Sequence, residues 1–194
     1  MNAIIPRWEW RTFGASFGEA DRRFEALAPG GGQESDETYL LSPGTDANVK
    51  IRDGLMDIKT LEQVNADGLE QWRPVMKGKF PLPAAEVARV CAALGVAPVT
   101  GSPAYTLEQL EAELTQPARR VRFVQVHKRR ARYVIGGCSA EMTAVAADGK
   151  PTRTVAIEHE DPARVLAAVR EMSLDRFENI SYPRGLKQLL GSSG

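Results

Sequence analysis

The chain has 194 residues, of which 43% are hydrophobic and 26% charged, a composition typical of a globular protein with a sizeable core. The 25 Lys and Arg residues balance the 25 Asp and Glu residues, so no overall positive field attracts nucleic acid, and an anion site requires local clustering of cations. Cys91 and Cys138 lack the spacing of a zinc site or a disulfide scaffold. Residues 1–20 show no signal-peptide pattern and no apolar run reaches membrane-spanning length, so we expect a cytoplasmic protein with no membrane partner.

The spacing of apolar residues divides the chain into predicted strands and helices. In chain order, these are a strand at 7–14, a helix from Phe17 that ends at Pro29-Gly30, a strand at 35–43, a hairpin at 48–64, a strand at 68–82, helices at 83–96 and 105–118, a strand at 119–137, two strands at 138–161, a helix at 162–172 and a short helix in the tail. The glycine-rich stretch 28–35 is interpreted as a loop. The hairpins predict an α+β architecture, with helices packed outside an antiparallel sheet.

The turn sequence of the hairpin at 48–64 predicts which residues of its two strands lie opposite each other. Asp53-Gly54 is typical of a two-residue type I′ turn, which places Arg52 opposite Leu55 and Asn48 opposite Lys59. Because strand side chains alternate between faces, one face is apolar and the other carries mostly cations. The charged face holds Lys50, Arg52, Asp57 and Lys59.

Charges recur at every second position in five predicted strands. A sheet with one face in water explains any single strand, whereas five such strands favour a barrel with a charged interior. Unoccupied interior charges are costly, so the expected occupants are a polyanion on the cations and Mg²⁺ or Mn²⁺ on the carboxylates. The charged positions are Arg7, Glu9 and Arg11; Lys50, Arg52 and Lys59; Lys128, Arg130 and Arg132; Glu141; and Glu158 and Glu160.

The order of these motifs resembles that of the CYTH, or triphosphate tunnel metalloenzyme, superfamily, which includes thiamine triphosphatases, inorganic triphosphatases and class IV adenylate cyclases. The similar stretches are "RWEWR" (7–11), "TYLLS" (38–42), the basic hairpin, "HKRRARYVIGG" (127–137), "IEHE" (157–160) and "NISYPRGL" (179–186). The resemblance implies a single domain over 1–194 with a helical insert at about 83–118 and a C-terminal tail at about 173–194. The implied fold is a closed antiparallel barrel of eight strands that forms a tunnel, with helices outside.

The resemblance also implies a divalent-metal-dependent phosphohydrolase that acts on a triphosphate held in a cationic tunnel. Such an enzyme works by positioning and charge neutralisation. Phosphate would be bound by Arg11, Lys50, Arg52, Lys59, Arg73, Lys128, Arg130 and Arg132. Mg²⁺ or Mn²⁺ would be held by Glu9, Glu141, Glu158 and Glu160, of which Glu158 and Glu160 are the expected catalytic residues.

Arg7 is a departure from the family pattern, which opens with Glu-x-Glu-x-Lys, whereas this chain has Arg7-x-Glu9-x-Arg11. The loss of a carboxylate favours an alternative, a non-catalytic or weakly active relative that binds polyphosphate or nucleotide. A class IV-like adenylate cyclase is a further alternative that only the resemblance supports. The expected partner is a triphosphate-containing small molecule or polyphosphate, with no specific nucleic acid, and an edge strand would allow a homodimer.

Overall fold

The computed structural model describes residues 6–191 and contains ten strands and five helices. The strands are β1 (Trp8–Gly14), β2 (Gly31–Leu41), β3 (Asn48–Arg52), β4 (Leu55–Val64), β5 (Glu70–Lys79), β6 (Leu82–Pro83), β7 (Ala104–Tyr105), β8 (Arg122–Ile135), β9 (Cys138–Ala147) and β10 (Lys150–His159). The helices are α1 (Glu19–Glu25), α2 (Ala84–Leu94), α3 (Leu107–Leu114), α4 (Pro162–Glu171) and α5 (Tyr182–Leu190).

Eight strands form a closed antiparallel barrel in the order β1-β10-β9-β8-β2-β3-β4-β5, and β5 closes it against β1. The α+β class and the closed barrel are therefore confirmed. The remaining strands, β6 and β7, form a separate two-stranded sheet that the sequence did not predict. Helices α2 and α3 follow β5 and precede β8, within the predicted insert.

Turn and cap chemistry explains where the elements begin and end. Asp53 and Gly54 have φ of 53° and 71°, as a type I′ turn requires, and the predicted β3–β4 register is confirmed. At the start of α3, Thr106 accepts a hydrogen bond from the Gln109 backbone N–H, and the Gln109 side chain accepts one from the Thr106 backbone N–H. Asp161 caps α4, with Pro162 at the first turn.

The stretch from Gly31 to Ser35 is strand rather than the predicted loop. These residues pair with the Lys128–Arg132 part of the long strand β8. Glycine-rich sequence disfavours a strand when judged alone, but backbone hydrogen bonds to a distant partner outweigh that local preference. The extension lengthens the wall of the barrel at its glycine-rich end.

The outer face of the barrel is apolar and is covered by helices. One buried cluster joins α2 and α3 to the outward side chains of β2–β5, and a second joins α1 and α4 to those of β1, β8, β9 and β10. The charged side chains that alternate with these positions therefore point into the barrel. None of the helices within residues 6–191 is long and apolar enough to span a bilayer.

One end of the barrel interior is closed by α5. Its residues Tyr182, Leu186 and Leu190 pack against the inward side chains Val124 and Val126 in a buried apolar cluster. We call this end the base. The opposite end, where Val134 is 77% exposed, is the mouth. The interior is therefore a cup with one opening.

Gly185 is required where α5 meets β1, because a Cβ at this position would overlap the ring of Phe13. We expect Gly185→Ala to destabilise the protein by about 1–3 kcal/mol through overpacking. Helix propensity alone predicts the opposite sign, since alanine is the better helix former. Chemical denaturation of the variant and the wild type shows whether the free energy of unfolding falls or rises.

Gly44→Ala is the matched control, because nothing crowds a Cβ at Gly44 and its backbone is not left-handed. This variant should unfold at nearly the wild-type denaturant concentration. Equal stability of Gly185→Ala and the wild type would contradict the tight seating of α5.

Candidate functional site

A cavity of about 590 Å³ occupies the barrel interior between the base and the mouth. Residues from all eight strands of the barrel line it. Its charged lining residues are Glu9, Arg11, Lys50, Arg52, Lys59, Lys128, Arg130, Arg132, Glu141 and Glu158. The structure thus brings together ten of the residues that the sequence analysis singled out.

Two predicted site residues lie elsewhere. Arg73 has a side chain that is 60% exposed and pairs with Glu62 at 2.9 Å, and it does not line the cavity. Glu160 follows the end of β10 at His159 and is exposed in the turn before α4. The expectation that alternation carries Glu160 into the wall beside Glu158 is corrected, because alternation stops where the strand ends.

Glu37 on β2 is the buried centre of the cationic wall, and the sequence analysis missed it. Its side chain is 0% exposed. Lys50 Nζ and Lys128 Nζ donate to its Oε2 at 2.9 and 2.8 Å, and an Arg130 Nη donates to its Oε1 at 2.8 Å. We call these four residues the Glu37 cluster. Burial alone would raise the pKa of Glu37, but the Lys128 and Lys50 ammonium groups outweigh it and hold the pKa well below its ordinary value.

A signal for Glu37 was present in the sequence. Alternation through "SDETYLL" places Ser35, Glu37, Tyr39 and Leu41 on one face, as the structure shows by burying Glu37 and Tyr39 toward the interior. The same rule had placed the cations of β3 and β8. Applied to β2, it would have found a carboxylate that faces them.

Two tyrosines form the floor of the cavity beneath Lys128. The rings of Tyr39 and Tyr182 stack with centroids 5.0 Å apart. Lys128 Nζ donates to the Tyr39 hydroxyl at 2.8 Å and lies 3.9 Å from the Tyr182 ring centroid. Burial lowers the pKa of Lys128 well below its ordinary value, although Glu37 opposes this, and burial raises the pKa of Tyr182. Tyr182 lies in the stretch "NISYPRGL" (179–186), which is one of those that carry the family resemblance, but it was not a predicted site residue.

Arg11 joins two of the predicted metal ligands. Its Nε donates to Glu9 Oε1 at 2.9 Å, and its Nη1 donates to Glu141 Oε1 at 3.2 Å. We call these three residues the Arg11 cluster. Burial would raise the pKa of Glu9, but Arg11 outweighs this and lowers it. Burial would lower the pKa of Arg11, but Glu9 and Glu141 raise it.

The charges nearer the mouth are less tightly engaged. Glu158 is 40% exposed and accepts a hydrogen bond from Arg7 at 2.9 Å. Arg52 reaches Glu37 and Asp57 only at 3.9 and 3.7 Å. Within residues 6–191, Lys59 and Arg132 line the cavity without a carboxylate ion pair, and Arg132 donates to the Gln33 side chain.

The side chains as arranged do not fit the expected Mg²⁺ or Mn²⁺. Glu9 and Glu141 are engaged by Arg11, and Glu158 is engaged by Arg7. Over residues 6–191, no three acidic, His or Cys side chains are grouped so that they could hold a metal ion. A hard divalent cation prefers several oxygen ligands that are free to bind it.

Comparisons with known proteins returned solved structures only, since no family model and no curated protein matches the chain. Three structures overlap it over most of both chains. A candidate adenylate cyclase from Bacillus halodurans is 10% identical with a TM-score of 0.47, and the match covers 92% of this chain and 97% of that chain. A conserved hypothetical protein from Pyrococcus furiosus is 15% identical with a TM-score of 0.49, and the match covers 91% of this chain and 98% of that chain. A candidate adenylyl cyclase from Hippeastrum with a dominant triphosphatase activity is 11% identical with a TM-score of 0.45, and the match covers 87% of this chain and 88% of that chain. Identities and TM-scores at this level carry no information about the substrate or chemistry of this chain.

Removal of the Glu37 carboxylate should destabilise the barrel. Glu37→Gln leaves Lys50, Lys128 and Arg130 without their shared anion, and we expect a loss of roughly 3–5 kcal/mol in the free energy of unfolding. Chemical denaturation at neutral pH measures it. Adding Lys128→Met to Glu37→Gln should recover part of the loss by removing one uncompensated cation.

Glu34→Gln is the matched control, because Glu34 lies on the same strand with a largely exposed side chain. It should change stability by well under 1 kcal/mol. If Glu37→Gln and Glu34→Gln were equally stable, Glu37 would have no central structural role.

The Glu37 cluster also predicts acid sensitivity. Because folding lowers the pKa of Glu37, its contribution is fully present above its unfolded-state pKa and is lost as the pH falls through the folded value. The free energy of unfolding of the wild type should therefore fall as the pH drops below about 4.3. Denaturation series at decreasing pH should show a shallower fall in Glu37→Gln, and parallel curves would contradict the assignment.

Proposed function

We propose that this protein binds a triphosphate, either inorganic or carried by a small organic molecule, in the cup of the barrel. The observation that carries the proposal is the excess of cations over carboxylates around one cavity. Seven cationic side chains line it, against three lining carboxylates and the buried Glu37. Such a concentration of positive charge in a concave site attracts a polyanion even though the net charge of the chain is zero.

The cations divide into two groups with different roles. Lys50, Lys128 and Arg130 surround Glu37 and supply a fixed positive field behind the ligand. Lys59 and Arg132 are the groups available for direct contact with phosphate oxygens, since neither has a carboxylate ion pair within residues 6–191. A guanidinium suits this task because its planar donors bind two phosphate oxygens at once.

The shape of the cup supports a ligand that enters end-on. The base is closed by α5, so a phosphate chain reaches the cations with its terminal phosphate first. Tyr182 lines the inner end of the cavity, where its ring stacks on that of Tyr39. Trp72 and Val134 also line the cavity and provide apolar contacts for an organic group.

Metal-dependent hydrolysis of the bound triphosphate is the second candidate function. The observation that favours it is the presence of Glu9, Glu141 and Glu158 in the same cavity as the cations. Phosphate release in the presence of Mg²⁺ or Mn²⁺, measured beside Glu158→Gln, tests it, and turnover that is lost in the variant would establish it. Nucleotide cyclisation stays a prediction of the resemblance alone.

Calorimetric titration with inorganic triphosphate tests binding. We expect Arg132→Ala and Lys59→Ala each to weaken the affinity about tenfold or more, since a hydrogen bond to a charged group contributes about 1.5–3 kcal/mol. The affinity of the wild type should also fall as salt is added, because the contacts are ionic.

Arg129→Ala is the matched control for Arg132→Ala. Arg129 lies on the same strand but is exposed and does not line the cavity. Its variant should bind triphosphate as the wild type does. Equal weakening by Arg129→Ala and Arg132→Ala, or no binding by the wild type, would contradict a site in the cup.

A further inference from the structure

Arg11 bridges two carboxylates that come from different strands of the barrel. Glu9 lies on β1 and Glu141 on β9, with β10 between them. The Arg11 guanidinium contacts both, with Nη2 lying 3.5 Å from Glu9 Oε2 and 3.3 Å from Glu141 Oε1 in addition to the shorter bonds described above. A single monovalent cation thus bridges the two carboxylates.

The position of Arg11 is held from several sides. Its side chain is 9% exposed, its Nη1 also donates to Thr154 Oγ1 at 3.3 Å, and its guanidinium carbon lies 5.0 Å from the Tyr182 ring centroid. Its backbone N–H donates to Asn179 Oδ1 at 2.7 Å, and its carbonyl accepts from the Ile180 N–H at 2.7 Å. The segment that leads into α5 therefore locks this part of β1.

The charge of Arg11 is permanent. A guanidinium keeps its proton at all accessible pH values, so Arg11 cannot release the carboxylates by titration as a lysine or histidine could. Glu158, the third carboxylate of the cavity, is paired with another guanidinium, that of Arg7. A divalent ion would therefore have to displace an arginine and enter a cavity already rich in cations.

We infer that Arg11 is the resident cation of the carboxylate wall, so that Glu9 and Glu141 bind no divalent metal in the ligand-free protein and the cup takes triphosphate without one. The inference rests on the proposed binding function and argues against the metal-dependent candidate. It assigns to Arg11 a positioning role, in which the guanidinium holds both carboxylates in place and offsets one of their two negative charges, which weakens their repulsion of the phosphate chain.

The test is a titration of Mn²⁺ alone, followed by its electron paramagnetic resonance signal. The wild type should leave Mn²⁺ free, and Arg11→Met should bind it about tenfold or more tightly, because a neighbouring positive charge has been removed. Arg11→Met with Glu141→Gln should lose the new site. Circular dichroism and thermal unfolding establish that each variant is folded.

Arg11→Gln also removes the charge and keeps hydrogen-bonding groups beside the carboxylates, so it should bind Mn²⁺ more tightly than the wild type and serves as a second variant if Arg11→Met does not fold. Tight Mn²⁺ binding by the wild type that Glu9→Gln abolishes would overturn the inference. So would a folded Arg11→Met that binds Mn²⁺ no better than the wild type. Triphosphate titrated into the wild type in EDTA and again in Mg²⁺ separates the two ideas. Binding only with Mg²⁺ would overturn the inference, whereas binding under neither condition would contradict the proposed function.

Discussion

The cavity depends on one buried anion. Three cationic side chains of the Glu37 cluster converge inside the barrel, and their mutual repulsion in a desolvated interior would oppose folding if nothing neutralised them. Glu37 contacts all three with its two oxygens and holds them at fixed positions. Because one negative charge offsets only part of three positive charges, the wall is both folded and still attractive to anions.

The cup is apolar at its base and charged toward its mouth, because buried charges are costly unless other charges offset them. Charges are tolerated where they are paired or near the mouth, whereas the base is filled by apolar side chains of the barrel and α5. Tyr182 lies at the boundary, since its ring contacts both Lys128 and Arg11 through cation–π geometry. The C-terminal helix therefore plugs the barrel and also supports the floor of the cavity.

The Arg11 cluster gives the opposite wall a different character from the Glu37 cluster. One wall has a single carboxylate among several cations, and the other has a single guanidinium between two carboxylates. Arg130 connects them, since its Nε lies 3.7 Å from Glu141 Oε2. Two arginines, Arg7 and Arg11, stand where the resembled family has a glutamate and a lysine, and both engage the carboxylates that were expected to hold metal.

Local rules were sufficient for much of the fold and for most residues of the candidate site. The Asp53-Gly54 turn determined the β3–β4 register, and strand alternation placed Lys50, Lys128 and Arg130 on the inward face, because both signals act over a few residues. The Glu9, Glu141 and Glu158 carboxylates followed from the same alternation. Alternation through β2 would have added Glu37.

Only the tertiary structure decided which of these charges meet. Lys128 and Glu37 are 91 residues apart, and Arg11 and Glu141 are 130 apart, so their contacts depend on the strand order and register of the closed barrel. Strand ends likewise placed Glu160 outside the cavity, and the packing of α5 closed the base. Sequence by itself determined the faces on which the charges lie, because side-chain direction is a local property of a strand. The fold decided which charges pair with each other, because pairing between distant strands is not a local property of the sequence.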